Sequence, residues 1–178
     1  MKATGIVRRI DDLGRVVIPK EIRRTMRIRE GDPLEIFTDR EGEVILKKYS
    51  PINDLGEFAT EYAESIYETF GTPIVISDRD EVVAVTGVSK KEYTDRRLSV
   101  FAEESMQLRS TIVEKTAETL EIVPGQYEQV KSYCIAPIMN NGDVIGAIYL
   151  FSKAHFIGEA EQKAAEIGAV FLAKQMQH

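Results

Sequence analysis

The feature that most restricts how this chain can fold is an N-terminal stretch of about 50 residues with more apolar strand surface than it can bury alone. The pattern predicts a hairpin of strands 33–39 and 43–49 around the turn DREG. Both strands carry apolar side chains on both faces, at Leu34, Ile36, Phe37, Val44, Ile45 and Leu46. A lone two-stranded hairpin cannot bury two faces, and a unit of this size has a marginal core. We therefore expect residues 1–53 to complete their core with a second copy, as a homodimer.

Upstream of this hairpin, the sequence GRVVIPKEIRR places a short apolar strand directly before a short helix. Two strands are predicted, over 4–10 and 15–19, separated by the turn DDLG. Pro19 should open a helix over 19–27, because proline lacks the N–H group that would be unpaired at a first helical position. A helix of this length is not stable alone in water, so it also depends on packing against other elements.

The predicted helix concentrates positive charge on one face. At about 100° per residue, Ile22 and Met26 share one face of the helix, and three arginines lie opposite them. These arginines are Arg23, Arg24 and Arg27. A basic stub of this kind is often only a solvated surface, so its interpretation depends on the charge of the rest of the chain.

Charge is unevenly distributed along the sequence. The net charge of −6 alone would argue against a polyanionic partner. Residues 1–50, however, carry 12 Lys and Arg against 9 Asp and Glu, whereas the remainder carries 11 against 20. Short connections bring Arg8, Arg15 and Arg24 near one another, and arginine binds phosphate and guanine edges in a forked geometry. The pattern predicts a basic nucleic-acid-binding module joined to an acidic domain of another purpose.

The motif DDLGRVVIPKEIRR resembles the swapped-hairpin DNA-binding domain of the AbrB family of transition-state regulators. The resemblance runs through residues 1–50 and implies a dimer that interleaves its hairpins and presents arginines to double-stranded DNA. The DNA-binding residues that it implies are Arg8, Arg15, Arg23 and Arg24. Three further basic residues lie near them with weaker support, namely Lys2, Arg9 and Arg27. The resemblance also implies a transcription factor that activates some genes and represses others during spore development.

Residues 54–178 are predicted to form a separate α+β domain, joined to the first by the linker SPIND. Helices over 55–70, about 97–109 and 159–176 flank strands that pair as hairpins near both ends of the segment. This order resembles a GAF domain, with a PAS domain as the alternative. The expected fold class is therefore α+β, with a swapped-hairpin DNA-binding domain over 1–53 followed by a GAF-like domain for assembly or for sensing an unknown small-molecule effector.

The two long helices of the second domain, over 55–70 and 159–176, allow two interpretations. Both carry apolar residues at helical spacing, so each could pack across the sheet of its own domain. The same residues could instead join two dimers into a homotetramer. The apolar contacts considered for this assembly are Tyr62, Ile66, Ile167, Val170 and Phe171. The sequence leaves both interpretations open.

The sequence contains little that would support catalysis or metal binding. Cys134 is the one cysteine, which excludes an intramolecular disulfide and a multi-cysteine zinc site, and we interpret it as a buried thiol. No Ser/His/Asp set, phosphate-cradling loop or carboxylate pair with metal-ligand spacing is present, so no catalytic residue, metal or cofactor is predicted. No targeting peptide and no apolar run of membrane-spanning length is found, so we expect a cytoplasmic protein without membrane contact.

Three classes of function remain to be compared. An enzyme is disfavoured because a single cysteine in an apolar strand has no resolving partner for redox chemistry. An antitoxin is the alternative, since related swapped-hairpin domains neutralise ribonuclease toxins, but they do so with a short acidic tail. Here about 120 residues with several strand signals follow the first domain. The sequence therefore favours a sequence-specific DNA-binding transcriptional regulator.

Overall fold

The computed structural model describes residues 5–49 and 56–175. These residues belong to two compact units, Met1–Tyr49 and Ser50–His178. The predicted linker SPIND and the weaker DNA-binding candidate Lys2 lie outside the described residues.

The described part of the first unit contains one short helix and one β-hairpin. Helix α1 spans Lys20–Thr25, and strands β1 (Leu34–Thr38) and β2 (Val44–Lys48) pair antiparallel, which confirms the predicted hairpin. The helix is shorter than predicted. Pro19 precedes it as the N-cap, with extended backbone at φ −57° and ψ 148°, and the helix ends before the predicted position at residue 27.

The two strands predicted upstream of α1 do not form in the single chain. Residues 5–10 and 15–18 belong to no strand, although the predicted turn between them is present at residues 12–14. A strand requires a hydrogen-bonding neighbour, and these residues have apolar side chains but no neighbouring ladder within their own chain. The expectation of two strands is therefore wrong for one isolated chain.

The first unit buries almost none of its apolar surface. Pro19 is the one buried residue between residues 5 and 49. Exposed large apolar side chains of this unit are Ile6, Val7, Ile10, Leu13, Val16, Val17, Met26, Ile36, Phe37, Val44, Leu46 and Tyr49. Apolar exposure on this scale in a soluble protein marks an interface that another surface covers. Residues 5–49 of a single chain therefore lack a core of their own, as the sequence pattern predicts.

The second unit is built around a five-stranded antiparallel sheet with the strand order β4–β3–β9–β8–β5. Its elements are α2 (Gly56–Phe70), β3 (Ile74–Asp78), β4 (Val82–Thr86), α3 (Lys90–Tyr93), α4 (Val100–Gln107), β5 (Ile112–Glu114), β6 (Glu118–Leu120), β7 (Glu128–Val130), β8 (Ser132–Asn140), β9 (Asp143–Ser152) and α5 (Glu159–Gln175). Strands β6 and β7 form a separate two-stranded sheet. The predicted helices and the final hairpin are confirmed, with helix ends that differ by a few residues.

Each face of the five-stranded sheet carries its own hydrophobic core. On one face, Ile76 and Ile148 of the sheet pack with Ala63 of α2 and Leu172 of α5. On the other face, the sheet packs with α3, α4 and the β6–β7 hairpin around a second set of buried side chains. This second set includes Val75, Tyr93, Met106, Leu120, Tyr149 and Phe151. Alternate residues of a strand point to opposite faces, so the continuous apolar runs of β3 and β9 serve both cores.

Helices α2 and α5 contact each other very closely. The Tyr62 hydroxyl of α2 donates a hydrogen bond to the carbonyl of Ala164 on α5. A Cβ atom placed on Gly168 would lie 2.2 Å from the Tyr62 ring, so only glycine fits there. Ile66 is 7% exposed within the same core. Tyr62 and Ile66 therefore pack within their own domain, which is the first of the two interpretations of these helices.

Candidate nucleic-acid interface

The predicted turn DDLG forms a compact structure stabilised by its first residue. The N–H of Asp11 donates to the carbonyl of Arg15 at 3.0 Å, and the N–H of Gly14 donates to the carbonyl of Asp11 at 3.1 Å. Gly14 has φ +77°, a conformation that glycine adopts without strain. The side chain of Asp11 also accepts hydrogen bonds from the backbone N–H groups of Leu13 and Arg15. The turn is therefore closed by both backbone and side chain.

Asp11 also contacts the side chain of Arg15. Nε of Arg15 donates to Oδ2 of Asp11 at 2.8 Å, and 70% of the Arg15 side chain remains exposed. The backbone N–H and then the side chain of Arg15 hold the pKa of Asp11 below its usual value of 3.8. The carboxylate is therefore ionised at neutral pH beside an arginine that still faces solvent. Arg15 was predictable from the sequence pattern, whereas Asp11 was not predicted, although the spacing of four residues across a predicted turn was a usable signal.

The other arginines of the predicted interface are exposed on two segments. Arg8 and Arg9 lie on the segment before the turn, and Arg23 and Arg24 lie on the last turn of α1. Cations near the C-terminal end of a helix are favoured by the helix dipole. All four side chains are accessible in the single chain, as a nucleic-acid contact requires.

Arg27 differs from the other arginines, because it lies beyond the end of the helix. The N–H of Ile28 donates to the carbonyl of Arg23, and the N–H of Arg27 donates to that of Arg24. This is the pattern of a Schellman C-cap, in which the residue after the helix takes left-handed backbone angles. Arg27 occupies that position with φ +52°. It therefore does not continue the helical face of Arg23 and Arg24, contrary to the prediction.

The connection between α1 and β1 is tied to β2 by charged groups. Asp32 accepts a hydrogen bond from the backbone N–H of Arg29 at 2.8 Å, and its Oδ2 lies 3.8 Å from Nζ of Lys48. Lys48 also donates to the carbonyl of Arg27 at 3.1 Å. These contacts hold the end of α1 against the hairpin, so Lys48 has a structural role in positioning the basic helix.

The second unit offers a shallow cleft at the edge of the α5 layer. The cleft has a volume of about 200 Å³ and lies between α5, strand β8 and the residues before β5. Its lining includes Arg109, Thr111, Pro137, Met139, Glu166 and Val170. The exposed α5 residues Ile167, Val170 and Phe171 form an apolar strip on the same helix. Since Val170 lines the cleft and belongs to the strip, the two features adjoin.

The cysteine of the second unit lies in the interior of its fold. Cys134 is fully buried, and burial raises the pKa of its thiol to about 12. Among the residues that the structure describes, no group of three or more His, Cys, Asp or Glu could hold a metal ion. Within the same residues, no helix is long and apolar enough to cross a membrane.

Comparison with family models gives one match for each unit. Residues 54–177 match the model described as "Stage V sporulation protein T C-terminal, transcription factor". Residues 7–54 match the model described as "Antidote-toxin recognition MazE, bacterial antitoxin". The second match ends where the first begins, and together they cover nearly the whole chain.

Two curated proteins of Bacillus subtilis (strain 168) resemble the chain. Stage V sporulation protein T is 59% identical over 177 residues, which cover 99% of this chain and 99% of that protein. The transition state regulatory protein AbrB is 49% identical over 77 residues, which cover 43% of this chain and 78% of that protein. The first similarity therefore extends through both units.

A solved structure identifies the fold of the second unit. The GAF domain of the Acinetobacter phosphoenolpyruvate-protein phosphotransferase superposes with a TM-score of 0.58 and 15% identity, covering 70% of this chain and 82% of that one. At this identity the similarity concerns the fold alone. It confirms the GAF-like prediction over the PAS alternative.

Proposed function

This chain belongs to the stage V sporulation protein T family of transcription factors, and we propose that it controls sporulation genes by contacting operator DNA with the arginines of its first unit. In this proposal the protein activates some genes and represses others. It acts in the cytoplasm, where the chromosome is accessible, and has no enzymatic activity. The observation that carries the proposal is the set of exposed arginines on and around α1.

Four arginines form the proposed DNA-binding surface. They are Arg8, Arg15, Arg23 and Arg24, with Arg9, Arg27 and Lys2 as weaker candidates. Arginine can neutralise phosphate and can read the O6 and N7 atoms of guanine through two parallel hydrogen bonds. A two-fold dimer would present the set twice, which suits two successive faces of a DNA groove.

The proposed dimer forms through residues 1–53. Its support is the absence of a core in the described part of the first unit, where valine, isoleucine and leucine side chains remain exposed. Interleaving with a second chain would allow residues 5–10 and 15–18, which belong to no strand in the described chain, to join a β-ladder. DNA binding and dimerisation are linked in this proposal, because the arginines lie on the same segments as the exposed apolar residues.

Residues 54–178 are proposed to serve assembly or effector sensing. The apolar strip on α5, made of Ile167, Val170 and Phe171, remains exposed and suits the pairing of two dimers into a tetramer. Helix α2 can contribute Phe58 and Tyr67, which are also exposed, instead of Tyr62 and Ile66. An effector of unknown identity that binds this domain could shift the pairing of dimers.

An antitoxin function is not favoured, although the first unit matches an antitoxin model. The alternative requires a short tail that wraps a toxin. The chain instead continues into a folded domain with a five-stranded sheet and two covered faces. A packed domain of this kind has no free segment of the required type between residues 56 and 175.

The proposed DNA contacts are tested by the salt dependence of binding. If four arginines of both chains approach phosphate, about eight charges are neutralised, and the slope of log affinity against log salt should lie near −4 to −7. Arg24→Ala should make this slope less steep by about one to two units, because one contact is lost from each chain. Arg40→Ala removes the same charge from the exposed hairpin turn and serves as the matched control. Binding that does not depend on salt, or equal slopes for both variants, would contradict the proposal.

A further inference from the structure

A carboxylate stands within the proposed DNA-binding surface, where it should be unfavourable. Asp11 contacts Arg15, and both side chains are accessible to solvent. A negative charge at this position repels the phosphates of an approaching duplex. The pair also adds little to folding stability, because exposed ion pairs contribute almost nothing in water. The hydrogen bonds that close the turn account for Oδ1 of Asp11, and a role in recognition accounts for the contact of Oδ2 with Arg15.

The geometry of the contact indicates what that role is. One oxygen of Asp11, Oδ1, is occupied by the N–H groups of Leu13 and Arg15, which fixes the carboxylate on the turn. The other oxygen, Oδ2, accepts from Nε of Arg15. A guanidinium group has five N–H donors, of which four are on its two Nη atoms. A contact through Nε therefore orients the side chain while its Nη atoms carry the donors for a phosphate or a guanine edge.

We propose that Asp11 is a positioning residue for DNA recognition, which holds Arg15 in its binding orientation before the duplex arrives. The proposal rests on the proposed DNA-binding function of Arg15. Ordering a long side chain during association weakens binding by about three- to tenfold, and a side chain that is already ordered avoids this loss. Asp11 therefore raises affinity for a duplex in which Arg15 finds a matching acceptor. The same charge repels a duplex that offers only phosphates, so the pair favours specific over non-specific binding.

The test compares two neighbouring carboxylates in the full-length protein. Asp11→Asn keeps an oxygen that can accept the hydrogen bonds of the turn but removes the charge that holds Nε of Arg15. Asp12→Asn removes the same charge from the next residue, which is also exposed, and is the matched control. Affinity is measured by fluorescence anisotropy for a duplex that the parent protein enriches from a random-sequence pool, and for a duplex of unselected sequence.

We expect Asp11→Asn to lower affinity for the selected duplex by about three- to tenfold. Affinity for the unselected duplex should stay equal or rise, because a repulsive charge is lost. Asp12→Asn should not weaken either complex. In an Arg15→Ala background, Asp11→Asn should cause no further loss, since no guanidinium group remains to be positioned.

The double variant separates positioning from structural damage. A turn distorted by Asp11→Asn would weaken binding in both backgrounds, so a loss that persists with Arg15→Ala overturns the proposal. Equal affinities of Asp11→Asn and Asp12→Asn for the selected duplex also overturn it. If Arg15→Ala alone binds like the parent, the DNA contact of Arg15 fails, and the role of Asp11 fails with it. A weakened Arg15→Ala with an unaffected Asp11→Asn leaves the DNA contact standing and refutes only the positioning.

Discussion

The core that we propose two copies of the first unit to share leads to a prediction at two adjacent valines. If residues 15–18 form a strand in the proposed dimer, successive side chains point to opposite sides, so Val17 would lie on the side of Arg15 and Val16 on the other. If Arg15 faces DNA, Val16 should face the partner chain. Val16 is 52% exposed in the single chain and Val17 is 71% exposed, so neither is buried before association. Replacing each valine with alanine therefore tests which side of the segment the partner covers.

The expected magnitude follows from the atoms removed. Val16→Ala deletes two methyl groups, at about 0.8 kcal/mol for each buried carbon. The loss occurs in both chains, so the dimer should lose about 3 kcal/mol, which raises its dissociation constant about a hundredfold. Val17→Ala deletes the same atoms from the solvent side and should change the free energy by less than about 0.5 kcal/mol.

Both variants are measured in a fragment of residues 1–53. The parent fragment should fold only as a dimer, with a melting temperature that rises with protein concentration. Sedimentation equilibrium gives the dissociation constants, and calorimetry at several concentrations gives the melting temperatures. A parent fragment that is folded and monomeric at micromolar concentration would refute the shared core. An effect of Val17→Ala as large as that of Val16→Ala would refute the assignment of the two sides.

Two further predictions concern the second unit. Gly168→Ala should destabilise the full chain by about 1 to 3 kcal/mol in denaturant titrations, because the new Cβ atom collides with the Tyr62 ring. Gly56→Ala is the control and should be neutral or slightly stabilising, because its Cβ atom would meet no other atom within 4 Å. Equal effects of the two substitutions would contradict the close packing of Gly168 against Tyr62. Burial opposes ionisation of Glu161, but its hydrogen bonds prevail, led by the one from the Gly158 N–H, and hold its pKa below 4.5. This carboxylate therefore stabilises the folded unit above pH 4.5, and the contribution is lost as the pH falls through the lowered pKa. Glu161→Gln should make the free energy of unfolding depend less on pH in the acid range. An unchanged pH dependence would contradict the stabilising role of the Glu161 carboxylate.

Much of the second unit was predictable because its signals are local. Strands β8 and β9 are long apolar runs joined by a turn, and α5 has clear helical spacing. What the pattern could not determine is which surface covers an apolar helix face. Ile66 and Ile167 both looked suitable for contacts between copies, yet one is buried in its own domain and the other is exposed. Helical spacing identifies a face but does not identify its partner.

The first unit shows a different limit of sequence reasoning. The strands expected over 4–10 and 15–19 need a neighbouring strand, and residues 5–10 and 15–18 form no strand with the rest of the described chain. Arg27 was placed by continuing the helix past its true end, where a left-handed C-cap redirects the backbone. Asp11 was missed because its importance depends on the conformation of a turn and not on periodicity. The arginines themselves were identifiable because exposed charge requires little knowledge of packing.

The absence of a core in the first unit has a consequence for gene dosage. If the DNA-binding unit forms only when two chains associate, the concentration of active dimer at low expression rises with the square of the chain concentration. A twofold change in synthesis would then change the concentration of DNA-binding dimers about fourfold. Such a protein would respond more steeply than in proportion to its own accumulation, without any effector. The exposed apolar surface of the first unit would thus delay the response until enough chains are present.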